Sequence, residues 1–348
     1  MMEEKRDAPQ KTATIVDVGK MANASISTVS RVINHHGGVS PDLEKRILEV
    51  VEQLNYRPNS VARALKSKET RLIGVIVPSI NNPIFSVNTE HYAAVAEQYG
   101  YSLITCSSNS SVDKEVKCLE TLIKHQVDGI IFNGMGIYDP RFSIVGEAKV
   151  PIVFVGRRMQ NFDCDNVTLD NKAGAYQAVT HLIQNGARHI GFIFGYHESV
   201  TATDDRFAGY LAALKDNDIP FDDGLVIRTK SAQDDGGRDA TRQLLDRMPD
   251  LDSIFASNDL MALGCMDQLR QIGIRVPEEI SVVGYDGIPY GRLMTPPLST
   301  VITPAKEMAQ RTVELLIQRM EEHHGPQKEI VFQPTLYIGG STRPAPAK

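Results

Sequence analysis

TIVDVGKMANASISTVSRVIN, residues 14–34, holds two short helical patterns joined by a tight turn. Thr14 is placed to cap the first helix, and Asp17 suits the positive end of its dipole. Ile15, Val18, Met21 and Ala22 fall at three- and four-residue spacing and form one apolar face. Asn23 stands where the chain must reverse, and asparagine tolerates the left-handed conformation. Ser25 then caps a second helix whose Val29, Val32 and Ile33 point to a core. Ser27, Ser30, Arg31 and Asn34 share the opposite side. Ile26 and Ser27 stand at the leading end, where a helix pushed into the major groove touches base edges. Arg31 can offer a bidentate fork to guanine O6 and N7. Such a stripe alone also describes an ordinary solvated helix face; the turn before it and the basic segment after it favour DNA.

Gly37-Gly38 breaks the pattern, and Ser40-Pro41-Asp42 reads as the start of a third helix: cap, proline, acid. Leu43, Ile47, Val50, Val51 and Leu54 supply its apolar stripe. Next comes YRPNSVARALKSKET, residues 56–70, in which Asn59 or Ser60 can cap a helix through Lys66. That helix is too short to persist alone in water. The polar stretch 1–13 reads as a disordered lead-in without the apolar region of a secretory signal.

The net charge of −6 speaks against a general nucleic-acid binder, but it is uneven. Residues 1–70 carry 11 Lys and Arg against 9 Asp and Glu; the remainder carries 26 against 34. The DNA reading therefore rests on motif and placement rather than bulk charge. Cys106, Cys118, Cys164 and Cys265 lie far apart without a CxxC pair, as expected of reduced thiols in a cytoplasm. No run of 18 apolar residues exists, so no membrane span is expected.

From Arg71 the pattern changes. LIGVIVP (72–78), YSLITC (101–106), DGIIF (128–132) and PIVFV (151–155) alternate with helical stretches. HIGFIF (189–194), GLVIRT (224–229), SIFAS (253–257) and ISVVGYD (280–286) form a second series. Continuous apolar strands separated by helices predict parallel sheets covered on both faces, here as two α/β lobes. In such sheets ligands bind beyond the carboxyl ends of strands. Asn81, Asn82 and Phe85, then Arg206, Asn258, Asp259 and Asp286, follow strand ends. A carboxylate, a guanidinium, an amide and an aromatic ring suit a polyol. Each residue singly could also be a helix cap or a surface charge, Asp259 most of all.

The string TIxDVxKxA…S…TVSRVIN…VS…LNYRPNxxARALK resembles the lactose/galactose repressor family of bacterial transcription regulators, almost without gaps over the first 70 residues. The resemblance extends through residue 343. It implies an all-α helix-turn-helix headpiece over 14–57 and a hinge helix and linker over 58–70. An effector-binding core of periplasmic-binding-protein type then spans 71–348. Its N-lobe is expected at about 71–170 plus 304–330, and its C-lobe at about 171–303 plus 331–345. DNA contacts are implied for Thr14, Ser25, Ile26, Ser27, Thr28, Ser30, Arg31, Asn34, Tyr56, Asn59, Ala62, Arg63, Leu65 and Lys66. Leu65 of each hinge would wedge into the minor groove. Effector contacts are implied for Phe85, Arg206, Asn258 and Asp286. Gly19 stands where that family usually has alanine, and Asn23 where it often has glycine; both keep the turn geometry. Gly156-Arg157 stands where many sugar-responsive members carry Asp-Arg, which weakens the case for a simple neutral sugar.

These readings describe a cytoplasmic homodimeric repressor of carbohydrate-metabolism genes. It binds a palindromic double-stranded operator and is controlled by a sugar or sugar derivative between the lobes. A phosphorylated partner protein or a purine corepressor is the alternative control. The absence of GxxxxGK[ST], HExxH and GxSxG removes the common enzyme signatures. His35-His36 and His323-His324 read as solvated pairs, so no catalytic residue, metal or cofactor is expected. The headpiece argues against a secreted sugar-binding protein. No apolar heptad follows Tyr337, so no tetramer-forming tail is expected.

Overall fold

The computed structural model describes residues 13–33, 37–56, 69–136, 138–157, 164–195, 201–322 and 325–344. The chain divides into two compact units, Met1–Thr70 and Arg71–Lys348.

The first unit contains α1 (Ile15–Ala22), α2 (Ile26–Ile33) and α3 (Pro41–Gln53). Thr14 and Asp17 form a reciprocal capping box on α1. Asn23 ends that helix at φ 50 and ψ 50, the left-handed turn expected of it. The Ser25 hydroxyl accepts the Thr28 N–H at 3.1 Å and so caps α2. Ser40, by contrast, makes no side-chain capping bond; Pro41 alone marks the start of α3. Val18, Ala22, Val29, Val32, Ile47 and Val50 are buried together, and Ile33, Leu43, Val51, Leu54 and Tyr56 close around them.

The second unit is built on two six-stranded sheets. The first has the order β11-β5-β4-β3-β1-β2, all parallel. Its strands are β1 (Leu72–Val77), β2 (Ser102–Ser107), β3 (Gly129–Phe132), β4 (Ile152–Val155), β5 (Asp165–Leu169) and β11 (Glu329–Phe332). The second has the order β12-β10-β9-β8-β6-β7, with only β12 antiparallel to its neighbour. It comprises β6 (Ile190–Gly195), β7 (Val226–Thr229), β8 (Ser253–Ala256), β9 (Ser281–Asp286), β10 (Ser299–Ile302) and β12 (Thr335–Tyr337).

Helices α4 (Pro83–Gln98), α5 (Val112–Lys124), α6 (Ser143–Ala148) and α11 (Ala305–Glu322) belong to the first lobe. Helices α7 (Asn171–Gln184), α8 (Thr201–Asp216), α9 (Asp234–Arg247) and α10 (Asp259–Gln271) belong to the second. The fold is therefore the mixed α/β architecture expected, with a helical headpiece and two parallel-sheet lobes. Helices α9 and α10 cross backbone to backbone: a Cβ on Gly264 would stand 2.0 Å from the Asp234 carbonyl oxygen. Largely buried sheets on both sides of the chain crossings share one apolar cluster, from Ile73 and Val75 to Phe192, Val283 and Val301. Among the described residues no helix is long and apolar enough to cross a membrane.

The apolar runs in the sequence became β1–β4 and β6–β9. Strand β5 (DNVTL) has no such run: Asp165, Asn166 and Thr168 break it. Its place is held by tertiary bonds, since Arg319 of α11 donates from Nε and Nη2 to the buried Asp165 carboxylate at 2.6 and 2.8 Å. The chain crosses between lobes at Asp170, again at Thr303-Pro304, and a third time after Phe332. The expected third crossing at 330/331 is two residues early, because Val331 and Phe332 remain paired to Thr168 and Leu169.

Candidate functional site

The exposed face of α2 is short and polar. The Ser25 hydroxyl lies 2.7 Å from that of Ser27 and 2.8 Å from that of Thr28, so the three side chains form one bonded cluster. Ile26 is 51% exposed beside them. Arg31 is exposed one turn later, its guanidinium about 4 Å from where a Cβ on Gly38 would stand. Ser30 is half-buried. Thr14 is occupied locally, donating from its hydroxyl to Asp17 at 2.7 Å. Tyr56 packs on the headpiece core and donates its N–H to the Val51 carbonyl at 2.9 Å. Asn34, Asn59, Ala62, Arg63, Leu65 and Lys66 lie outside the described residues.

The second candidate site is a cavity between the two lobes, lined by Asn82, Phe85, Asn88, Arg157, Asn171, Arg206, Asn258 and Asp286 among others. It lies at the carboxyl ends of strands, as the topology requires. Phe85, Arg206, Asn258 and Asp286, far apart in sequence, all reach it. Asn81 does not; it is exposed.

Arg206 is the hub. Its Nε donates to Asn171 Oδ1 at 2.9 Å, Nη1 donates to the Ser257 carbonyl, and Nη2 stands 3.5 Å from Asp286 Oδ1. The guanidinium lies over the Tyr285 ring, 3.6 Å from its centroid. Tyr285 fits because Gly174 has no side chain: a Cβ there would meet its hydroxyl at 2.5 Å.

Asp286 ends β9 at φ 114, a conformation that costs a non-glycine residue on the order of 1–3 kcal/mol. Burial pushes its carboxyl up to about 6, while Arg206, the Asn82 amide and Arg157 pull the other way. Asn82 and Asp286 come from opposite lobes and line the same cavity, so this influence acts across the cleft.

Asn258 does two jobs. Its Oδ1 accepts the Met261 N–H at 2.8 Å, capping α10, and its Nδ2 donates to the Ala232 carbonyl at 3.0 Å. Asp259 proves neither a cap nor a surface charge. It is fully buried, accepting from the Thr300 hydroxyl at 2.5 Å and the Ile288 N–H at 2.7 Å, and ties three elements together behind the cavity. Burial, then the nearby Asp286, pushes its carboxyl up to about 8.

Arg157 follows β4 and faces the cavity from the first lobe. Its Nη1 donates to the Gly134 carbonyl at 2.7 Å and approaches the Met135 sulfur at 3.5 Å. Burial, then repulsion from Arg206, lowers it to about 10. Behind it Glu115 is fully buried and accepts the Met135 N–H at 2.7 Å. Burial pushes that carboxyl up to about 7.

Sequence reading missed Asn171 and Asn88 as lining residues and Tyr285 as the floor under Arg206. Asn171 opens the helix after the unrecognised β5, so its place at a strand end was hidden. Asn88 sits inside a helix and carries no such signal. Among the described residues no three His, Cys, Asp or Glu side chains are placed to hold a metal ion.

Known protein families match both units of the chain. The family described as bacterial regulatory proteins, lacI family, matches residues 14–59, and the periplasmic binding protein-like domain matches residues 179–342. The chain is 34% identical over 309 residues to the ribose operon repressor of Halalkalibacterium halodurans, covering 89% of this chain and 91% of that one. It is 33% identical over 333 residues to the HTH-type transcriptional repressor PurR of Pasteurella multocida, covering 95% and 99%. A solved structure of the lac repressor dimer bound to operator and the anti-inducer ONPF superposes with a TM-score of 0.84 at 28% identity, covering 95% of this chain and 99% of that one.

Proposed function

The chain belongs to the lacI family of bacterial regulatory proteins, and from that premise we propose how it reads DNA and how it is controlled. It is a DNA-binding transcriptional regulator and not an enzyme. Ile26, Ser27 and Arg31 read base edges in the major groove, with Arg31 supplying a bidentate contact. Two copies form a cytoplasmic homodimer on a palindromic operator, since two-fold protein symmetry is matched by two-fold DNA symmetry. The protein represses carbohydrate-metabolism genes and is controlled by a sugar or sugar derivative in the inter-lobe cavity.

The convergence of Arg206, Asp286 and the Asn82 amide carries this reading. Those groups come from both lobes and meet across the crevice. A ligand bridging them contributes differently to two lobe arrangements, and only such a difference can shift an equilibrium. The test is to select operator DNA from a random duplex library with the full-length protein. Sugars, sugar derivatives and purine bases are then titrated onto the complex. One class should change operator affinity, and Asp286→Ala should abolish that change. An Asp286→Ala protein that responds fully to the same compound removes Asp286 from the effector site.

A further inference from the structure

Taking the cavity as the effector site, its charge balance says more about the ligand. Among the described residues that line it, the charged ones are Arg157, Arg206 and Asp286: two cations against one anion. The cations do not have equal claims on their surroundings. Arg206 is already bonded to Asn171, the Ser257 carbonyl and Asp286, and its face is on Tyr285.

Among the described residues, Arg157 has only neutral acceptors, the Gly134 carbonyl and the Met135 sulfur, and both are served by Nη1. Its Nε and Nη2 donors have no acceptor among the described residues. That edge is the planar fork that matches a carboxylate or a phosphate. Gly156 beside it has no side chain to supply a carboxylate. Glu115 lies behind, not in, the cavity, with one oxygen on the Met135 N–H and the other without a partner. The two guanidiniums also repel each other across the cleft, a repulsion that a bound anion would relieve.

A second observation points to hydroxyls on the same ligand. Asn88 lines the cavity, and its side-chain oxygen is buried without a hydrogen-bond partner. An orphan acceptor needs a donor. Asp286 is likewise an acceptor toward the cavity. A simple acid would leave Asn88 unsatisfied, and a neutral sugar would leave the Arg157 fork empty.

We propose that this cleft takes a small polyhydroxy acid, a ligand with one carboxylate or phosphate group beside several hydroxyls, its acid group docked on the Nε/Nη2 edge of Arg157. The hydroxyls are then donors to Asn88 and Asp286.

The test is calorimetric titration of the full-length protein with gluconate and with ribose 5-phosphate, each against its uncharged counterpart, glucose or ribose. At least one acid-bearing probe should bind roughly tenfold or more tightly than its counterpart, and added salt should shrink that margin. Whether gluconate or ribose 5-phosphate shows it separates carboxylate from phosphate. Arg157→Gln keeps a donor for the Gly134 carbonyl but removes the charge, and should bring the ratio to within about twofold. If that variant fails thermal-unfolding controls, Arg157→Lys keeps the charge without the fork and should retain only part of the margin. Equal or tighter binding of the neutral sugar, an unchanged ratio in either variant, or no binding of either acid overturns the proposal. Neutral-sugar binding that is lost in Asp286→Ala leaves the effector site standing and removes only the acid. Binding indifferent to both Asp286→Ala and Arg206→Ala removes the effector site itself.

Discussion

On α2 the proposed DNA-facing surface comes from one stretch, Ser25–Arg31, in which the Ser25 hydroxyl bonds to those of Ser27 and Thr28. In the cleft, Asn82, Arg157, Asn171, Arg206 and Asp286 come from separate elements of two lobes. The first surface is exposed, neutral apart from Arg31, and its polar side chains cost little to keep there. The second buries charge, which is stable only while the partners stay in place. The helix face can therefore be altered with little effect on folding, whereas a change in the cleft leaves buried charge without its partner.

Arg206→Ala should break the contrast most visibly. It leaves the Asp286 carboxylate without its ion pair and Asn171 Oδ1 without its donor, and should cost roughly 3 kcal/mol in urea unfolding, along with any response to effector. A loss within experimental error would show that the buried network contributes nothing to the core. On the other surface, Arg31→Ala should cost about 1–3 kcal/mol of preference for operator over mutated operator, with the unfolding midpoint unmoved. Equal weakening on scrambled DNA would reduce Arg31 to a phosphate contact.

Thr14→Ala should cost about 1 kcal/mol of headpiece stability, through loss of the capping box alone. Unchanged headpiece melting would show that Asp17 caps α1 unaided.

The smallest effect is on pH dependence. The folded carboxyl of Asp286, at about 6, lies above its ordinary 3.8, so the folded state keeps that proton longer. Its contribution is fullest below 3.8 and is lost as pH rises to about 6. Asp286→Asn should remove that part of the slope; a slope identical to that of the parent protein assigns it to Glu115 or Asp259 instead.

The headpiece was legible because its determinants are local. The Thr14 cap, the Asn23 reversal and the three- and four-residue apolar spacing act within a few residues of one another. Ser40 shows the limit: a good capping residue in the right place made no capping bond. Eight of the strands were equally legible from their apolar runs; the central ones among them are buried on both faces and so must be continuously apolar. Strand β5 was not, because Arg319, distant in sequence, stabilises an aspartate inside it.

Sequence by itself determined the family, the helix-turn-helix, the two-lobed α/β plan and the strand ends at which polar residues gather. Tertiary structure decided what those residues do there. Asn258 and Asp259 are adjacent in sequence, yet one lines the cavity while capping α10 and the other is buried behind it. Arg157, the arginine that stands beside the Gly156 departure, proves to be the cation in the cleft whose fork has no acceptor among the described residues. Local sequence fixes backbone direction and apolar periodicity. Which charge meets which partner depends on chain segments that only the folded lobes bring within hydrogen-bonding distance.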